Sequence, residues 1–215
     1  MTKIGIYGGS FNPIHYAHMK TGEFLVRNRY VDEILYMVNP CSPFKMDQQI
    51  PDVYFRIQAA ENALKAFYNE EHPHDVGYRK LWASNYEATQ FFGQPVCYTV
   101  DTLRRFLYTS VFDDEEIYFI LGVDTFNDIK KFKDWEWFLE TKLVKFLVLP
   151  RKGYALHSSV YSEFKEITTY VDPAPYMEMS STEVRELFKK GEYEKLKEYM
   201  PQEEIDYIKD KKLYI

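Results

Sequence analysis

The sequence predicts an α/β fold, a Rossmann-like open doubly wound parallel sheet with a small C-terminal helical cap. Short apolar runs recur along the chain, as the buried strands of a parallel sheet require. Segments with apolar residues at three- and four-residue spacing separate these runs, as amphipathic helices require. No repeat and no linker rich in proline, glycine or serine divides the chain, so we predict a single domain over residues 1–215, with the cap at about 181–215.

The elements follow from these two patterns in chain order. Five apolar runs are predicted as strands: Lys3–Tyr7, Glu33–Val38, Ile117–Leu121, Lys145–Leu149 and Thr168–Val171. Five amphipathic segments are predicted as helices: Ala17–Arg29, Tyr54–Phe67, Tyr98–Leu107, Thr182–Lys190 and Gln202–Lys209. Two closing helices, Ser181–Lys190 and Glu192–Asp210, would form the cap. Residues 69–95 show the weakest pattern and contain His72, Pro73, Gly93 and Pro95, so we predict a long surface excursion there and a candidate lid.

Composition limits the partners and the compartment. The chain has 215 residues, of which 46% are apolar and 18% aromatic, enough for one substantial core. A net charge of −6 and a pI near 5.5 disfavour nucleic acid as a partner, because duplex binding needs many cations. Two distant cysteines, Cys41 and Cys97, and the absence of a signal peptide or a membrane-length apolar run predict a cytoplasmic protein that is not embedded in a membrane.

The first strand leads directly into the loop Gly8–His18, where the chemistry is expected. In open α/β sheets, ligands bind beyond the carboxyl ends of strands, and glycines let backbone N–H groups approach a phosphate. His15 and His18 are three residues apart, so a helix that begins near His15 points both imidazoles the same way. The positive end of that helix dipole favours an anion.

This histidine pair has two simpler interpretations. Isolated histidines near a helix start are usually capping or surface residues, but here a strand and a Gly-Gly-Ser turn precede them, and neither the Walker nor the G-x-G-x-x-G pattern explains the glycines. A zinc site lacks a third ligand at suitable spacing. The loop therefore indicates a phosphate site.

A second anion cradle is predicted at Ser180–Arg185, where a helix begins. Ser180 and Glu183 also fit a capping box, so this segment is a well-formed helix start whether or not it binds a ligand. Hydroxyls, free amides and an arginine one turn further on suit a triphosphate that needs donors from more than one side.

These motifs resemble the nicotinate (nicotinamide) mononucleotide adenylyltransferase family, within the H-x-G-H nucleotidyltransferases. The resemblance covers nearly the whole chain, in the order Gly8–His18, Asn39-Pro40 to Pro43-Phe44-Lys45, Arg56, Tyr98–Leu103, Leu121–Asp124, Asp134-Trp135, Pro150–Tyr154 and Ser180–Arg185. The sequence departs from the family pattern at four places: Ala17 replaces the motif glycine, Phe44 replaces a histidine, Gln90 replaces an arginine, and residues 69–83 look like an insertion.

The resemblance implies an enzyme of NAD biosynthesis that transfers AMP from ATP to nicotinate mononucleotide and releases pyrophosphate. The implied catalytic residues are His15, His18, Lys45 and Arg185. The implied ATP site comprises Gly8, Gly9, Ser10, Phe11, His15, His18, Gly122, Asp124, Ser180, Ser181, Thr182 and Arg185. The implied mononucleotide site comprises Ser10, Lys45, Tyr98, Thr99, Val100, Trp135 and Glu136. Mg²⁺ is expected to arrive with ATP, held by substrate oxygens and water, and no protein ligand for it is named.

Several alternatives remain open at this stage. Asp124 could instead cap a helix over Thr125–Phe132, and Trp135 could be a core residue packed with Trp137 and Phe138. Nicotinamide mononucleotide is the alternative acceptor, and a non-catalytic nucleotide sensor is the main alternative function. A fragment of a class I tRNA synthetase is disfavoured, because the chain lacks a basic RNA-binding surface. The abundant aromatic residues are compatible with a homo-oligomer.

Overall fold

The computed structural model describes residues 1–40, 50–71, 80–94, 96–109, 115–172 and 179–214. Within these residues, six parallel strands form one sheet in the order β3-β2-β1-β4-β5-β6. The strands are β1 (Thr2–Gly9), β2 (Glu33–Val38), β3 (Leu81–Ser84), β4 (Glu115–Gly122), β5 (Val144–Leu149) and β6 (Thr168–Tyr170). This order reverses direction between β1 and β4, as in a doubly wound fold, so the predicted fold class is confirmed.

Helices cover both faces of the sheet and close the chain. They are α1 (Tyr16–Arg27), α2 (Val53–Glu71), α3 (Tyr86–Gln90), α4 (Thr99–Tyr108), α5 (Val123–Asn127), α6 (Glu136–Thr141), α7 (Ser158–Phe164), α8 (Ser181–Lys190), α9 (Tyr193–Leu196) and α10 (Gln202–Asp210). Two 3₁₀ turns lie at Ile129–Lys131 and Lys165–Ile167. Among the described helices, none is long and apolar enough to cross a membrane.

Alternate residues of β4 face opposite sides of the sheet, and each side packs against its own hydrophobic core. Ile117, Phe119 and Leu121 pack with the apolar sides of α4, α5, α6 and α7. Tyr118 and Ile120 face the other way and pack with α1 and α2. Successive strand residues point to opposite faces, and both faces here are apolar, which explains the continuous apolar runs of the sequence.

The predicted surface excursion at 69–95 is wrong in its described part. Leu81–Ser84 forms the edge strand β3, which pairs with β2 and places Leu81 opposite Ile34. α3 follows directly. The strand is only four residues long, too short to show a periodic pattern in the sequence. Residues 72–79 and 95 lie outside the described part of the chain, and so does the lid prediction that depends on them.

The closing helices pack into a cluster of their own. Val184, Leu187 and Phe188 of α8 are buried against residues of α9 and α10. The second predicted closing helix, Glu192–Asp210, is divided into α9 and α10, because Pro201 disfavours helical backbone at the residue before it and caps α10. α10 packs along α2.

Candidate active site

The candidate site lies where the carboxyl ends of β1 and β4 meet. Tyr7 pairs with Ile120 in the sheet, so the segments that follow, Gly8–Ser10 and Gly122–Asp124, leave the sheet side by side. The strand order reverses at this point, and the crevice outside it is the usual ligand site of doubly wound folds.

The two glycines at the end of β1 leave space for neighbouring aromatic rings. A Cβ on Gly9 would lie 3.0 Å from the Phe11 ring, and one on Gly8 would lie 3.2 Å from Phe119. Phe11 itself has a φ of 41°, a left-handed conformation that non-glycine residues seldom adopt. Its buried ring meets His18 edge to face at 5.2 Å between centroids. The loop is therefore held by packing that larger residues at positions 8 and 9 would obstruct.

The two histidines lie together at the start of α1. His15 is the N-cap residue of the helix, and its backbone N–H donates to Nδ1 of His18 at 3.3 Å. Their ring centroids are 3.9 Å apart. Since Nδ1 of His18 accepts this bond, the proton of a neutral His18 ring is assigned to Nε2, which makes Nε2 a donor. The predicted common direction of the two imidazoles is what the structure shows.

The two imidazoles differ in their surroundings. His15 is buried, and burial lowers its pKa from 6.5 to about 4. Its Nδ1 is buried with no hydrogen-bond partner among the described residues. At neutral pH His15 is uncharged, so it can offer a hydrogen bond but not a positive charge.

The start of α8 reaches the same loop from the other end of the chain. The Ser181 hydroxyl donates to the carbonyl of Pro13 at 2.8 Å, and Nη1 of Arg185 donates to the carbonyl of Asn12 at 2.7 Å. Nη2 of Arg185 donates to the Thr182 hydroxyl at 3.1 Å. The structure thus brings Ser181, Thr182 and Arg185 together with the histidine loop, as predicted from two distant motifs.

One of the two hydrogen bonds of the predicted capping box at α8 is formed. Ser180 accepts a hydrogen bond from the Glu183 N–H at 3.1 Å. The Glu183 carboxylate instead accepts from the hydroxyl of Tyr199 at 2.8 Å. Glu183 therefore ties α8 to the segment after α9.

Arg56 is a site residue whose function the sequence did not reveal. It lies on α2, is 2% exposed, and Nη1 donates to the carbonyls of Ser10 at 2.5 Å and Asn39 at 2.9 Å. Nε donates to the carbonyl of Pro51 at 2.9 Å. Asn39 in turn donates its N–H to Gly9 at 2.9 Å. One buried guanidinium therefore joins the segments that follow β1 and β2.

Asp124 is not a helix cap, contrary to one of the two interpretations of it. Gly122 is the N-cap of α5, which is shorter than the Thr125–Phe132 helix considered above. Asp124 lies in the first turn, where its Oδ2 accepts from Arg151 at 2.6 Å. Its Oδ1 is buried with no partner among the described residues, and a Cβ on Gly122 would lie 2.5 Å from it. Glycine at 122 thus leaves the space that Asp124 occupies.

Side-chain contacts join the start of α4 to the segment that leads into α6. Tyr98 caps α4, so Thr99 and Val100 open the helix, and Glu136 opens α6 with an exposed side chain. The first amides of each helix have no acceptor within their own helix. Lys133 and Asp134 connect the segment before α6 to α4 through ion pairs.

Trp135 packs against the edge of the core that contains Trp137 and Phe138, and its side chain stays half-buried. Its half-buried ring lies 5.9 Å from Phe164, and Nζ of Lys130 lies 5.1 Å from its centroid. Trp137 meets Phe138 edge to face, with 5.3 Å between the ring centroids. A phenyl ring and an ammonium group therefore lie beside the Trp135 indole, and part of it remains exposed.

Of the remaining predicted residues, some lie in the loop after β1 and one lies outside the described residues. Ser10 is buried in the loop, and Gly8 is exposed beside it. Lys45 lies outside the described residues, together with Pro43 and Phe44.

Comparison with known proteins agrees with this architecture. Residues 6–187 match the sequence profile of a family described as cytidylyltransferase-like. A probable nicotinate-nucleotide adenylyltransferase of Lactococcus lactis is 31% identical over 99% of this chain and 95% of its own. One of Clostridium acetobutylicum is 28% identical over the whole of both chains. The structure of a Plasmodium falciparum nicotinic acid mononucleotide adenylyltransferase complexed with NaAD has a TM-score of 0.72 at 23% identity, over 100% of this chain and 98% of that one. At that identity the likeness shows the fold.

Proposed function

The chain belongs to the cytidylyltransferase-like family, and from that membership we propose that it transfers AMP from ATP to nicotinate mononucleotide, forming deamido-NAD and pyrophosphate. The observation that carries the proposal is the meeting of His15, His18 and Arg185 at one loop beyond β1, beside the carboxyl end of β4. Relatives that match over nearly the full length carry the name of this activity. Such a reaction would take place in the cytoplasm.

The reaction needs positioning and charge neutralisation rather than a protein nucleophile. A 5′-phosphate oxygen of the mononucleotide attacks the α-phosphorus of ATP in line, a P–O bond forms, and the bond to the departing pyrophosphate breaks. Nε2–H of His18 would donate to an oxygen of the α-phosphate, and His15 would bind a neighbouring phosphate oxygen. Because burial lowers the pKa of His15 to about 4, it would act as a neutral donor.

Positive charge would therefore come from elsewhere. Arg185 already donates to Asn12 and Thr182, and its guanidinium has further N–H groups for the departing pyrophosphate, beside the Ser181 hydroxyl. Lys45 is proposed as the second cation. Mg²⁺ would accompany ATP and neutralise its phosphates. Among the described residues no group of three or more metal-binding side chains occurs, so we propose that ATP and water hold the ion.

The adenosine half is proposed to lie against β4. The free Oδ1 of Asp124 would accept a hydrogen bond from a ribose hydroxyl beyond the strand end, while Arg151 holds Oδ2. Gly122 leaves the nucleoside close access to the backbone at this point, with Gly8–Phe11 on the neighbouring strand and Ser180 at the start of α8.

The pyridine half is proposed to lie at the first turns of α4 and α6, with its phosphate near Ser10 and Lys45. Main-chain N–H groups near Val100 and Glu136 would face the ring substituent, between Tyr98-Thr99 and the segment before α6. A carboxylate accepts from two donors, whereas a carboxamide turns its NH₂ toward one of them. The half-buried indole of Trp135, which contacts Phe164 and Lys130, would stack on the pyridine ring with its exposed part.

Pyrophosphate release in the presence of ATP and each mononucleotide tests the proposal. We expect turnover with nicotinate mononucleotide and a kcat/KM at least about tenfold above that for nicotinamide mononucleotide, since an unpaired buried donor costs ~1–3 kcal/mol. Equal values, or a preference for the amide, would contradict the pocket assignment. Nucleotide binding by calorimetry without any pyrophosphate release would instead indicate a sensor.

A further inference from the structure

One face of α4 meets the segment 133–137 through two ion pairs. Nζ of Lys133 lies 2.8 Å from Oδ2 of Asp101, and Nη1 of Arg104 lies 2.6 Å from Oδ2 of Asp134. Along the helix the acid comes before the base, and along the facing segment the base comes before the acid. Both pairs form only when the two segments take one relative position, so together they define a register.

Each cation of this arrangement also lies over an aromatic ring at the start of a helix. Nζ of Lys133 is 5.1 Å from the centroid of Tyr98, the N-cap residue of α4. The guanidinium carbon of Arg104 is 5.2 Å from the ring of Trp137, in the first turn of α6. Cation–π attraction therefore adds to the ion pairs and acts on the two helix starts themselves.

Asp134, which pairs with Arg104, has an uncommon backbone conformation. Its φ of 47° is left-handed, a conformation that aspartate and asparagine tolerate better than most residues. Arg104 binds the carboxylate of a residue in this uncommon conformation. An asparagine at position 134 keeps the backbone preference and removes only the charge.

Resting on the proposed function, we propose that Arg104 and Lys133 are positioning residues that set the distance between the first turns of α4 and α6 and thereby the preference for an acidic over an amide ring substituent. In the proposed pocket, both helix starts supply amide donors to the same substituent. A hydrogen bond weakens steeply beyond ~3.2 Å, so a shift of about half an ångström between the two turns removes one donor. The discrimination depends on both donors being in reach, and in the proposed arrangement ATP lies against β1, β4 and α8 rather than against these turns.

The test compares Arg104→Met and Lys133→Met with a matched control, Lys145→Met. Lys145 also pairs with a carboxylate, Glu116 at 3.0 Å, and lies 5.5 Å from the centroid of Tyr118. Its side chain is 41% exposed, against 43% for Lys133. Lys145 lies near the amino end of β5, whereas the candidate site lies at the carboxyl ends of the strands. The Lys145→Met substitution therefore removes equivalent contacts without touching the pocket.

We expect each of the two pocket variants to raise KM for nicotinate mononucleotide about two- to fivefold, the range of partly exposed pairs, with KM for ATP unchanged. The kcat/KM ratio of acid to amide should fall by a similar factor. Asp134→Asn removes the same ion pair with a smaller change of side chain, and it should lower the selectivity as Arg104→Met does. Agreement between the two variants would show that the loss does not come from misfolding. Lys145→Met should leave all these values at wild-type level.

Unchanged mononucleotide KM and unchanged selectivity in folded Arg104→Met and Lys133→Met would overturn the proposal, as would equal losses for ATP and the mononucleotide. Calorimetric affinity for nicotinate mononucleotide gives the same comparison without turnover. Wild-type turnover reports separately on the proposed function. An active wild type with unaffected variants overturns only the positioning roles, whereas a wild type that neither binds nor converts the mononucleotide overturns both.

Discussion

Glu204 tests how burial of a carboxyl group affects the pH dependence of stability in this protein. It lies on α10, its side chain is fully buried, and neither carboxylate oxygen has a hydrogen-bond partner among the described residues. Burial raises the pKa of Glu204 well above its ordinary value of 4.5. Glu204→Gln keeps the size and shape of the side chain and removes the titration, so the two proteins should differ in how stability depends on pH.

The sign follows from the protons that each state binds. Above pH 4.5 the unfolded chain has lost the Glu204 proton, while the folded chain keeps it. The free energy of unfolding of the wild type then falls by about 1.4 kcal/mol for each pH unit, from this group alone. The stability is fully present below pH 4.5 and is lost progressively until the pH reaches the raised folded-state pKa. The Glu204→Gln variant would have no such slope, because an amide does not titrate in this range.

Urea unfolding at intervals from pH 4.5 to 8 measures this difference. The free energy of unfolding of Glu204→Gln, relative to wild type, should rise by about 1.4 kcal/mol per unit as the pH increases above 4.5. Glu203→Gln is the matched control, because Glu203 is the preceding residue and is exposed. Parallel pH profiles for wild type and Glu204→Gln would refute the burial of an unpartnered carboxyl at this position.

Three further substitutions test the site and its support. His18→Ala should fold normally and lose on the order of a hundredfold or more in pyrophosphate release, since a pre-placed donor is worth ~3 kcal/mol, and near-normal turnover would remove His18 from the mechanism. Arg185→Ala should raise KM for ATP and leave mononucleotide affinity unchanged in calorimetry, and the opposite result would reverse the two half-sites. Gly22→Ala places a Cβ 2.0 Å from the hydroxyl of Tyr36 and should cost ~1–3 kcal/mol in urea unfolding, whereas Tyr36→Phe in the same chain should recover part of the loss.

Local patterns were sufficient to predict the centre of the fold. Buried strands such as Glu33–Val38 have apolar residues on both faces, and their bounds match those of β2. Leu81–Ser84 lies at the sheet edge, and only Leu81 of its four residues is fully buried, so its composition carries little signal. The short helices α5 and α6 are likewise fixed by packing on the sheet rather than by a long amphipathic pattern.

The site was predictable where its residues are neighbours in sequence. The spacing of His15 and His18, and the Ser180 cap, follow from one helical turn each. Arg56 belongs to the family resemblance, but its role could not be predicted, because an arginine in an amphipathic helix is normally exposed and only the fold brings the Ser10 and Asn39 carbonyls to it. The contacts of Trp135 could not be predicted, because three aromatic residues lie within four positions and sequence alone does not say which ring faces which partner.

The bonds that join the Asn12-Pro13 turn to the last helices have a consequence during synthesis. Their partners Ser181, Arg185 and Tyr214 lie 168, 173 and 202 residues further along the chain. A ribosome therefore makes the turn long before it makes the residues that support it. A product that stops before residue 181 would carry both histidines on a loop without these anchors, and we expect such truncated chains to compete poorly with the full-length enzyme for ATP.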